Sequence, residues 1–146
     1  MPSLQGKMKL SFQLTLLYIF LFLTSCNENA EEKIGIVTKD FAEAFYNFDF
    51  EEAQKHATSQ SNIFMVFFAS NISQEAIEKV KKAGRAKAEI TNVTLNEDGI
   101  TATVKCKITN YLKLNFIEET STIEETSDKE FDLIKSGEIW LVDLHP

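Results

Sequence analysis

Basic residues are in short supply: 15 Lys and Arg stand against 22 Asp and Glu in 146 residues, a formal charge of −7. A protein that binds a polyanion through surface charge needs the opposite balance, so nucleic acid is excluded as a partner. Cysteine is scarcer still, with two in the chain, and 44% hydrophobic and 25% charged residues make an ordinary globular composition. Disordered, collagen-like and disulfide-scaffold classes are thereby excluded. The two histidines, His56 and His145, belong to no Ser-His-Asp set or metal-ligand spacing, and no phosphate-binding glycine loop occurs. The sequence therefore offers no catalytic residue, metal or cofactor. The longest apolar stretch, Leu10 to Leu23, has 14 residues, short of the ~20 that a membrane-crossing helix needs.

That stretch has a different use. Lys7 and Lys9 precede it as a positive segment, and Thr24 and Ser25 follow as small residues. This is the plan of a secretory signal, with Met1 or Met8 as its start. Leu23-Thr24-Ser25-Cys26 resembles the lipobox of bacterial lipoproteins. The resemblance implies that Cys26 is acylated on its thiol, becomes the first residue after cleavage and holds the protein to the bilayer. One acyl chain binds only marginally and two or more hold stably. Residues 1–25 are thus expected to be a signal peptide, residues 26–32 the lipidated cysteine and a polar tether, and residues 33–146 one domain. Losing Lys7 and Lys9 leaves 13 basic residues against 22 acids, a net charge of −9. Asn27 after the cysteine goes, in Gram-negative lipoproteins, with sorting to the outer membrane. The expected location is the bacterial cell envelope, with the membrane side left open.

The first half of the domain reads as helical. Ile34, Val37, Phe41, Ala44, Phe45 and Phe48 recur at steps of three and four from Ala30 to about Asn47. Asp49 and Glu52 form a capping box for a short helix from Phe50 to about Ala57. Thr58 to Ser61 breaks it. Ile63 to Ala69 is apolar without interruption, a pattern shared by buried strands and buried helices. A helix capped by Ser61 or Asn62 is favoured because helices flank it. Ser73 starts another, ended by Gly84.

After Lys87 the texture turns to β-branched residues and turns. A parity shift at Thr91 and Asn92 predicts a bulge, and Asn96-Glu97-Asp98-Gly99 a hairpin turn. Cys106 shares parity with Ala102, Val104 and Ile108, which predicts a buried structural thiol. Ile117 to Thr122 is nearly repeated by Ile123 to Asp128, and seven acids fall between Glu118 and Asp132. A solvated hairpin or edge strand is expected there. Phe131 to Lys135, the turn Ser136-Gly137, and Ile139 to Leu144 form a closing hairpin. Its last strand, apolar on both faces, is expected in the middle of the sheet, with Phe131, Leu133, Trp140 and Val142 shared between core and a homodimer contact through the sheet.

Helices followed by an antiparallel meander define an α+β class. The order resembles that of small bacterial lipoproteins with a nuclear transport factor 2-like (cystatin-like) fold. The resemblance rests on Phe41-Ala42-Glu43-Ala44-Phe45, Asp49-Phe50-Glu51-Glu52-Ala53 and the hairpin Phe131 to Val142. It implies a cone-shaped roll, with N-terminal helices packed on a curved antiparallel sheet. The expected function is a non-enzymatic envelope module that binds a small apolar ligand or a protein partner. Phe41, Phe45, Tyr46, Phe64, Phe67, Phe68 and Trp140 are its candidate lining, with plain core packing as the alternative for each. The resemblance also offers a second reading, a pocket enzyme of isomerase or dehydratase type. Tyr46, Asp49 and His56 are then the polar set.

Overall fold

The computed structural model describes residues 29–115 and 120–145. Cys26, the apolar leader and Phe116 to Glu119 lie outside the described residues. The chain divides between Glu32 and Lys33, and the fold described here is that of the second unit. Helix α1 spans residues 29–46. It is followed by α2 (Phe50–Gln54), α3 (Ser59–Asn71) and α4 (Gln74–Ala83), then β1 (Lys87–Leu95), β2 (Thr101–Asn115), β3 (Thr120–Ser136) and β4 (Ile139–Asp143). The strands form one open antiparallel sheet in the order β1-β2-β3-β4. The expected α+β class, helices on an antiparallel sheet, is the class observed.

The apolar stripe of α1 does what its spacing predicts. Ile34, Phe41, Ala42 and Ala44 are buried against Ala102, Val104, Cys106 and Ile108 of β2 and against Phe131, Leu133, Trp140 and Val142. The parity expected around Cys106 is therefore the inner face of the sheet. The bulge is present too, as a register shift between Ile90 and Asn92. At the β1–β2 turn, Gly99 has φ 68°, which a residue without a Cβ adopts freely. The Asp98 carboxylate accepts from the backbone N–H of Ile100 and Thr101 at 2.9 and 2.8 Å. Asn47 fastens the end of α1 to the start of the sheet. Its amide donates to the Ala86 carbonyl at 3.0 Å and accepts from the Ala86 N–H at 2.9 Å.

Three local expectations give way to tertiary contacts. The box around α2 is half made. Asp49 accepts from the Glu52 N–H at 3.2 Å, but the Glu52 carboxylate turns to Lys55 instead of back to the cap. Helix α2 stops at Gln54 because Ala57 forms a parallel bridge to Val142, with His56 and Thr58 bonded to the Val142 backbone at 2.8 and 2.9 Å. Helix α3 starts before Ser61: Thr58 is its N-cap and accepts from the Ser61 N–H.

The closing strand also differs from expectation. β4 is the border strand of the sheet, not a central one. Its inner face, Trp140 and Val142, is buried, whereas Ile139 on the other face is 59% exposed. The four side chains expected to be shared with a second copy are all buried within this chain. From Thr120 on, the acid-rich repeat belongs to β3, which pairs with β2 in one constant register from Thr101↔Ile134 to Asn115↔Thr120. β4 meets β3 only from Asp132 to Ser136, and β1 meets β2 only as far as Thr109. The far halves of β2 and β3 thus extend as a two-stranded arm. Helix α4 packs on that arm through Ala76, Val80 and Leu112, and Lys79 donates to the Ser121 hydroxyl at 3.1 Å.

Candidate functional site

Between the arm and the helices lies a cleft of about 410 Å³. That is within the range of small-molecule sites, ~300–1,000 Å³. One wall is aromatic: Phe45 and Tyr46 end α1, Phe48 lies in the link, Phe50 starts α2, and Phe68 ends α3 with Ile72 beside it. Phe45 is the hub. Its ring centroid is 5.6 Å from Phe41 and 5.3 Å from Tyr46. Phe50 and Phe68 lie at 5.8 and 5.6 Å. Such edge and stacked contacts fix ring positions beyond what burial alone does. The opposite wall comes from the arm. Tyr111, Leu112 and Leu114 carry its apolar part, and Lys113, Glu124 and Lys129 its charges. Tyr46 and Tyr111 meet across the floor at 5.1 Å.

Two residues beside the cleft have positive φ, Phe48 at 62° and Asn110 at 59°. Asparagine visits this region readily, but for a bulky residue such as Phe48 it is a strained state, ~1–3 kcal/mol, kept where surrounding structure enforces it. At Phe48 it turns the chain from α1 into α2 while leaving the ring in the wall. At Asn110 the side-chain amide donates to the Ala83 carbonyl at 2.9 Å, tying the end of α4 to the arm next to Tyr111.

The electrostatics are uneven. Burial pushes the Tyr46 phenol well above its ordinary range, and the neighbouring Cys106 and Tyr111 add to it. The phenol stays neutral and is a donor, and no hydrogen-bond partner meets it among the described residues. Lys113 pairs with Glu124 at 3.9 Å. The Lys129 ammonium lies 5.2 Å from the centroid of the Tyr111 ring. The Cys106 thiol, buried opposite Lys129 in the ladder, is pushed up to about 11, by burial first and by Asp128 second. It is a packed side chain, not a nucleophile.

Of the lining residues expected from the sequence, Phe45, Tyr46 and Phe68 lie in the cleft. Phe41 is fully buried in the core behind Phe45. Trp140 is in the core at the other end of α1, where it borders a separate depression with Ile36, Val37 and His56. Phe67 is 58% exposed on α3, and Phe64 is half-buried; neither lines the cleft. The polar set Tyr46, Asp49 and His56 is not assembled. Asp49 caps α2 on the surface, and His56 faces Glu52 at 3.6 Å. Among the described residues no three His, Cys, Asp or Glu cluster as metal ligands.

Tyr111 and Lys129 are cleft residues that sequence patterning passed over. Lys129 left a signal. It lies in step with Phe131 and Leu133, whose side chains point inward, so a charge at that position departs from the strand's alternation.

No sequence-family profile matches the chain, and no curated protein is similar to it in sequence. Its architecture is similar to that of a function-unknown protein from Mycobacterium tuberculosis, at a TM-score of 0.51 and 12% identity, over 84% of this chain and 74% of the other. At that identity the likeness concerns the fold alone. A Campylobacter jejuni protein described as a nuclear transport factor 2-like transpeptidase superposes more loosely, at a TM-score of 0.47 and 19% identity, over 74% of this chain and 94% of that one.

Proposed function

We propose that the protein is a lipid-anchored envelope module that holds a small apolar ligand in the cleft between the helices and the β2–β3 arm, without transforming it. The observation that carries this reading is the aromatic wall around Phe45, facing an open space of about 410 Å³. In a domain of this size, apolar rings normally close on one another. Here strained backbone at Phe48 flanks a gap that the rings do not fill. The anchor is Cys26, seven residues before the second unit begins at Lys33. Seven residues reach at most about 25 Å, so acylation at Cys26 keeps the domain near the bilayer, the natural store of apolar ligands.

Fluorescence of phenylnaphthylamine, an uncharged apolar probe, tests the cleft. The full chain in phosphatidylcholine nanodiscs should enhance it above the level of protein-free discs. Thr126→Phe, at an exposed position on the cleft rim, should remove the enhancement without loss of stability. Equal signals from the two proteins would defeat the proposal.

A further inference from the structure

Along the inner side of β3 the residues in step are Leu133, Phe131, Lys129 and Ser127. The first two are buried in the core, and the last two line the cleft. Lys129 stands opposite the buried Cys106 in the β2–β3 ladder. An exposed lysine on the outer face, such as Lys105, has a carboxylate nearby, Glu130 at 3.7 Å. Lys129 has none: among the described residues it makes no ion pair, and its charge rests over the Tyr111 ring. Glu124, the carboxylate in the cleft, is taken by Lys113. The described lining of the cleft therefore carries a net charge of +1 within a chain of net −7. A half-buried charge with no counter-ion is costly, and an inward lysine between Phe131 and the cleft mouth has no packing role that Leu or Met would not fill better. The Tyr46 phenol, a second donor with no hydrogen-bond partner among the described residues, lines the same space.

We infer that the cleft binds an amphiphile with a single anionic head, its apolar body against Phe45, Phe50 and Phe68 and its head on Lys129. The inference rests on the cleft being a binding site and adds the charge of the ligand. A carboxylate or sulfonate at Lys129 completes the missing ion pair in a partly dehydrated place, where a charge-assisted hydrogen bond is worth more than on the surface. The apolar wall rejects small hydrophilic anions, and the ammonium sets the orientation of the chain.

Two probes that share one apolar body separate the terms: anilinonaphthalene sulfonate and its uncharged parent, phenylnaphthylamine. With the full chain in phosphatidylcholine nanodiscs, and protein-free discs as blank, the wild type should bind the sulfonate about tenfold tighter than the parent. That corresponds to ~1.4 kcal/mol. Lys129→Met should abolish this preference. Lys129→Arg should keep it. Equal wild-type affinity for the two probes, or an unchanged preference in a folded Lys129→Met protein, overturns the anionic head while leaving the apolar site standing. Binding of neither probe overturns both. The wild-type comparison needs no variant, so a Lys129→Met protein that fails to fold does not shield the inference.

Discussion

The hydroxyl of Thr58 donates to the Asp143 carboxylate at 2.8 Å, joining the first residue before α3 to the end of β4 across 85 residues of sequence. With that proton committed, the 2.7 Å contact between Thr58 and Ser61 is donated by Ser61, which also approaches the Val142 carbonyl at 3.3 Å. Ser61 in turn accepts from the Leu144 N–H at 2.8 Å. Helix cap and border strand thus share one buried polar knot. Ser61→Ala strands the Leu144 N–H and should cost about 1–3 kcal/mol. Thr58→Ala removes the cap as well and should cost about 1–2 kcal/mol. Urea unfolding measures both, and a loss below about 0.5 kcal/mol in each would show that the knot contributes nothing.

Trp140→Ala should cost about 3–5 kcal/mol, because the ring is buried beneath α1 and leaves a cavity. Ile139→Ala, one residue away on the open face, should stay within about 0.5 kcal/mol. Similar losses from the two would contradict the assignment of the buried and open faces of β4.

Cys106 gives a pH signature. Its folded value, about 11, lies above the ordinary 9.0. The unfolded chain therefore releases this proton first, and the favourable neutral thiol contributes fully below pH 9. Stability should fall as pH rises from 9 to 11, by about 2 kcal/mol at the upper end. Cys106→Ala should remove most of that slope, leaving the part that the raised Tyr46 phenol adds above pH 10, while costing about 1–2 kcal/mol at neutral pH through lost packing. Denaturation series at pH 7, 9 and 10.5 on the two proteins provide the check, and parallel curves would refute the assignment.

Cys26→Ser should abolish labelling by a fatty-acid analogue and release the protein from membranes or leave it unprocessed, since the acyl acceptor is gone. Equal label in both proteins would refute the lipobox reading.

Patterns with a period were legible in the sequence: the α1 stripe through Phe41, the Cys106 parity, the bulge at Thr91 and the Gly99 turn each depend on neighbours within a few residues. What failed depends on partners far along the chain. Thr58 and Ser61 looked like a helix break because hydroxyls favour both caps and turns, and the groups that decide between them are Val142 to Leu144. The apolar faces of β4 could not reveal its border position, because His56 and Thr58 supply backbone bonds to Val142 there that no periodicity encodes. Part of the cleft was readable for a similar reason. Phe45, Tyr46 and Phe68 stand in apolar helical runs, whereas Lys129 sits in the acid-rich stretch from Glu118 to Asp132, whose overall charge hides an inward cation.

The knot at Thr58 and Ser61 also sets an order of events. Until residues 142–144 arrive, these hydroxyls and the backbone of His56 to Thr58 have only water as partner, so the helical half cannot reach its final packing ahead of the sheet. Contacts spanning 85 residues form late, since closing so long a loop precedes any gain from it. A chain built this way stays incompletely folded until residues 142–144 are made. That delay fits the envelope location proposed above, since a chain threaded through a translocation channel must not fold first.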